Sequence, residues 1–128
     1  MSSLPLPFTT QTYPGSQWLT VFQFLNSDGS LMPIDGYSYQ MVVRTSTESS
    51  GSPVFSVASS GATSYGSITI DLTTSSITVT LTPTATLLLL SGAGGEPYAL
   101  TLWQDPGLST ASVVVSGSIY AIPVASPV

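Results

Sequence analysis

Between Ile68 and Thr82 the chain alternates twice without a fault. Ile68, Ile70 and Leu72 alternate with Thr69 and Asp71, a Thr-Thr-Ser-Ser turn follows, and Ile77, Val79 and Leu81 alternate with Thr78, Thr80 and Thr82. A period of 2 sends the aliphatic residues to one face and the polar ones to the other, which reads as a β-hairpin with one face buried. No other segment constrains the fold as tightly.

The segment Gln17 to Arg44 adds the second constraint. Its first strand carries Trp18, Phe22 and Phe24 on one face and Leu19, Val21 and Leu25 on the other, so both faces are largely apolar. Such a strand is covered twice, by the core and by a partner subunit or the N-terminal arm, and already hints at assembly. Asn26-Ser27-Asp28-Gly29 supplies the side-chain acceptors and the permissive glycine of a turn. After the Asp35-Gly36 corner, Tyr37, Tyr39, Met41 and Val43 share one face of a half-buried strand that ends at Arg44.

The remaining segments follow suit. Pro5, Pro7 and Pro14 make residues 1–15 an extended arm, and Leu4, Leu6 and Phe8 within it favour docking over a free tail. A short strand runs from Val54 to Ala58. Pro83 followed by Leu87–Leu90 and a glycine-rich stop predicts a short helical turn near residues 84–90. Tyr98 to Trp103 alternates as a strand, and Asp105-Pro106-Gly107 is a turn. The last strand, Val113 to Pro123, is apolar at both parities, and Gly117 in its middle signals a bulge or a close backbone approach. The prediction is an all-β chain of about seven strands, a Greek-key sandwich of the immunoglobulin-like kind over residues 16–124 with a tail at 125–128. At 128 residues one domain suffices.

Composition restricts the chemistry. There is one Lys or Arg, Arg44, against six Asp and Glu, with no His and no Cys, while Ser and Thr make up roughly a third of the chain. A single cation cannot neutralise a run of phosphates, which excludes nucleic acid as a partner. Without His, Cys or Lys a hydroxyl nucleophile lacks its usual base, and the six carboxylates are spread one to a loop or strand, so no catalytic residues are assigned. Asn26 to Ser30 lacks the carboxylates of a calcium loop and reads as a plain β-turn, so neither metal nor cofactor is expected. The N-terminus has no basic and apolar leader, and the longest purely apolar run, Leu87–Leu90, is far below the ~20 residues of a membrane span.

Individual residues have competing readings. Arg44 is either a strand-end charge in water or a bidentate partner of Asp35, Asp71 or Asp105. Asp35 reads as a turn residue whose carboxylate caps local N–H groups. Trp18, Tyr37, Tyr39, Tyr65, Trp103 and Tyr120 could form a glycan platform, although strand aromatics are more often core. The sheet edges carry few of the charges that normally guard against edge-to-edge pairing, so such a sheet is safer inside an assembly.

The order of these segments resembles the small Ig-like domain of tailed-bacteriophage virion proteins. The likeness rests on Trp-x-x-x-Phe-x-Phe, Asp-Gly-x-x-x-Pro-Ile-Asp-Gly-Tyr, Met-Val-Val-Arg, Ile-Thr-Ile-Asp, Ile-Thr-Val-Thr-Leu-Thr, Glu-Pro-Tyr-Ala-Leu-Thr-Leu-Trp and Val-Val-Val-Ser-Gly-Ser-Ile-Tyr, between Gln17 and Val124. Asp35-Gly36-Tyr37 occupies the family's corner, Met41–Arg44 its Arg-ended strand, Tyr98-Ala99-Leu100 its Tyr-Asp-Leu-like strand, and Gly117 its last-strand glycine. Ile34-Asp35 stands where the corner usually reads Leu-Thr, and Ala99 where an acid is frequent. The resemblance implies a non-enzymatic virion protein, assembled in the host cytoplasm, that joins other virion proteins in the tail, baseplate or tail fibre, with homo-oligomers in the particle. The alternatives are a capsid decoration or cement protein and a carbohydrate-binding host-attachment module.

Overall fold

A computed structural model of the protein describes residues 6–45, 53–91 and 98–121. They form two packed sheets. The larger has the order β1 (Leu6–Thr12), β8 (Ser112–Ala121), β7 (Tyr98–Gln104), β3 (Tyr39–Arg44), β4 (Phe55–Ala58); the smaller has the order β2 (Trp18–Gln23), β6 (Ser76–Leu81), β5 (Gly66–Asp71). The chain changes sheets at β1–β2, β2–β3, β4–β5 and β6–β7. The β2-β6-β5 and β3-β7-β8 orders are the B-E-D and C-F-G orders of an immunoglobulin-type sandwich. Among the described residues the all-β sandwich has eight strands, one more than the seven or so expected. The extra one is β1, within the residues read as an arm, and it runs parallel to β8 from Leu6↔Val115 to Thr12↔Ala121.

The alternating hairpin is β5–β6, antiparallel from Gly66↔Leu81 to Asp71↔Ser76. Ile77, Val79 and Leu81 are fully buried against Met41, Val43, Leu100 and Leu102 of the facing sheet, so the inner faces share one core. Each such side chain contributes about 1.5–3 kcal/mol by leaving water. The two-parity pattern of β8 has a local cause. Leu102 pairs with Val115 but Trp103 with Val113, so Val114 is the extra residue of a bulge and the apolar positions change phase there. At Gly117 the close approach is the correct alternative, because a Cβ there would overlap the Phe8 carbonyl oxygen of β1.

The helical turn is α1 (Pro83–Leu87), continued as a 3-10 turn over Leu88–Ser91. Thr82 is its N-cap, its hydroxyl accepting from Ala85 N at 3.3 Å, and Pro83 sits where its missing N–H costs nothing. Buried Thr86 ties α1 to the β1–β2 turn: its Oγ1 accepts from Gly15 N at 3.0 Å and donates to Ser16 O at 2.8 Å. At the start of β7, buried Tyr98 donates its hydroxyl to Leu89 O at 2.7 Å, an arrangement of the tyrosine-corner kind.

Candidate interaction surface

The residues singled out in the sequence are spread over several parts of the fold. Phe8, Trp18 and Phe22 meet between β1 and β2: Phe8 and Phe22 pack edge to face at 5.0 Å, and Trp18 Nε1 donates to Thr10 Oγ1 at 3.2 Å. They lie inside the molecule, stitching one sheet to the other. Leu6 belongs to the same strand by its backbone, and Leu4 lies outside the described residues. Asp35 and Tyr37 occupy the exposed corner before β3, where Gly36 at φ +84° takes the left-handed position and Tyr37 N reaches back to Ile34 O. Tyr98 is in the core, Trp103 is half-buried on the outer face of β7 opposite Gln40, and Gly117 seats β1.

The carboxylates are used locally. Asp28 Oδ1 accepts from Ser30 Oγ at 2.6 Å and Ser30 N at 3.0 Å, which holds its carboxyl below the usual range. Asp71 Oδ1 accepts from Thr73 N at 2.9 Å. Among the described residues the Asp35 carboxylate accepts no hydrogen bond, so the capping role read for Asp35 belongs to Asp28 and Asp71. Asp105 is buried with φ +53°, its Oδ1 accepting from Ser38 N at 3.1 Å and its Oδ2 from Thr110 Oγ1 at 3.1 Å. It clasps the β7–β8 turn to the start of β3. Arg44 stands at the far end of that strand, opposite Ala99, remote from Asp105.

Two surface features remain. A shallow hollow of about 400 Å³ opens beside this clasp, lined by Ser38, Tyr39, Gln40, Ala58, Ser59 and Pro106. The polar groups around it are engaged: Tyr39 Oη donates to Gln104 Oε1 at 3.1 Å, and the Ser59 hydroxyl accepts from Tyr39 N at 3.0 Å. The rings proposed as a glycan platform do not gather there or elsewhere. Trp18 and Tyr39 are buried, Tyr65 stacks on Phe55 at 6.0 Å, and Tyr37 and Tyr120 lie apart on the surface.

The second feature is β2. Leu19 and Val21 point outward and are 56% and 55% exposed, so neither β1 nor any other described segment covers the outer face of this strand. Leu25, Leu31 and Met32 continue the apolar surface past its end, and Tyr13 and Leu87 lie at its start, Leu87 beside Gly15. Among the described residues, seven of the eleven exposed large apolar side chains thus lie along one strand and its two ends.

β2 is also a sheet edge, and edges are usually guarded. Of the other three, β4 is only four residues long, β1 carries Pro7 and β5 ends on exposed Asp71. β2 has no charge, no proline and an unbroken register with β6. Phe24 N donates to Ser75 O in continuation of that register, so the even-numbered residues turn their backbone groups to β6. The N–H and C=O groups of Leu19, Val21 and Gln23 therefore face the open side.

A charge-poor, apolar strand edge suits contact with another polypeptide, and it offers no group for acid-base work. No protein-family model matches the chain, and no curated sequence matches it.

Proposed function

We propose that the protein is a non-enzymatic structural component of a tailed-phage particle, an adaptor or assembly piece of the tail, baseplate or tail fibre whose partners are other virion proteins. The observation that carries this reading is the apolar surface along β2, on a chain with one cation and six acids. A surface of this kind gains by being covered, and coverage by protein is the outcome that its open backbone groups also favour. The resemblance of the segments from Gln17 to Val124 to small Ig-like virion domains supplies the particle.

The test is to purify particles by density gradient and look for the chain by mass spectrometry, then locate it in the particle by electron cryomicroscopy. Density at the tail, baseplate or fibre is the expected result. Density on the capsid would replace the tail reading with a decoration role, and absence of the chain from purified particles would overturn both.

A further inference from the structure

The residues that flank Thr20 form a chemical palindrome. Gln17 mirrors Gln23, Trp18 mirrors Phe22 and Leu19 mirrors Val21, with Thr20 at the centre. In a strand paired antiparallel with a copy of itself, a two-fold axis sets each residue against its mirror position, so this pattern places aliphatic against aliphatic and polar against polar. We propose that β2 is a homodimerisation edge: two copies pair antiparallel about Thr20 and join their small sheets into one continuous sheet of six strands.

The backbone agrees with that register. With Thr20 facing its own copy as a non-hydrogen-bonded pair, Leu19 faces Val21 as a hydrogen-bonded pair, and these odd-numbered residues are the ones whose N–H and C=O groups face outward. The outward aliphatic side chains then meet each other, while Trp18 and Phe22 stay in their own core. The antiparallel arrangement also turns the apolar end of one copy, with Leu25 and Leu31, toward the end of the other that carries Tyr13 and Leu87. Charge does not oppose the contact, since Gln17 to Gln23 is uncharged while the whole chain stands at −5. The contact is one strand edge with the apolar side chains at its ends, a small interface, so the expected dimer is weak. It forms at high concentration or where an assembly holds copies together.

This inference rests on the β2 edge and not on the particle reading, so a monomeric chain found in virions would overturn it and leave that reading standing. The experiment is sedimentation velocity of the full chain from about 5 to 500 µM, with Val21→Lys as the edge variant. Val21 is exposed, so the variant keeps the fold, checked by circular dichroism. The expected result is a concentration-dependent dimer whose dissociation constant rises at least tenfold in Val21→Lys. A second arm uses the absence of cysteine: Thr20→Cys should cross-link to itself under copper-phenanthroline oxidation, since the paired Cα atoms stand at ~4.5 Å, while Gln23→Cys, set against Gln17, should not. A full chain that stays monomeric at 500 µM, or a dimer indifferent to Val21→Lys, would overturn the proposal.

Discussion

Tyr39 is the residue at which burial and charge act on one titrating group. Burial, then the negative charge of Asp105 and then Tyr37, push its phenol from 10.0 up to about 12. The fold therefore favours the neutral phenol, which donates to Gln104 Oε1. Its contribution to stability is present in full below pH 10 and is lost as pH rises from 10 to about 12. In Tyr39→Phe the fall of the melting temperature across that window is expected to be shallower than in the parent chain; equal slopes would show that another group governs alkaline unfolding. Tyr39 was legible as core from its place in the Tyr37 to Val43 alternation. The buried carboxylate of Asp105 was not, because an Asp-Pro-Gly turn reads the same whether its acid faces water or clasps a distant N–H.

At the scale of elements, the β1–β8 pair depends on Gly117. A methyl group there would overlap the Phe8 carbonyl, so Gly117→Ala must shift β1 or bend β8, at a cost of about 1–3 kcal/mol. Chemical denaturation should show that loss in the full chain. It should largely disappear in a chain lacking residues 1–12, where no strand lies against the glycine; an equal loss in both would place the constraint within β8 itself. The hairpin β5–β6, β3, β7 and the short helical turn were legible because period and turn chemistry are local properties of the chain. β1 was not, because Pro7 and a polar Thr-Thr-Gln-Thr run satisfy strand geometry only when a distant edge receives them. The two-faced pattern of β2 was legible in full, yet its meaning was not. The sequence leaves open whether the outer face is covered by the arm, and only the structure shows β1 against the inner aromatics with Leu19 and Val21 outside.

For the whole molecule, the sandwich divides its labour between its two sheets. The five-stranded sheet ends on a proline-bearing strand and a four-residue strand, and both resist further pairing. The three-stranded sheet ends on Asp71 at one side and on the uncharged β2 at the other, so the proposed pairing has one unguarded edge to use. A single such edge would limit association to pairs, whereas two open edges on one sheet would allow chains without end.

The parallel alignment of β1 with β8 also dictates an order of events. Leu6 waits for Val115, roughly a hundred residues later, before its strand has a place in the sheet. During synthesis the first strand made is thus the last to be settled, and closure is a slow, non-local step in an otherwise hairpin-driven fold. Until β8 emerges, the inner aromatics of β2 lack Phe8 as a cover, and the nascent chain is stickier than the finished one.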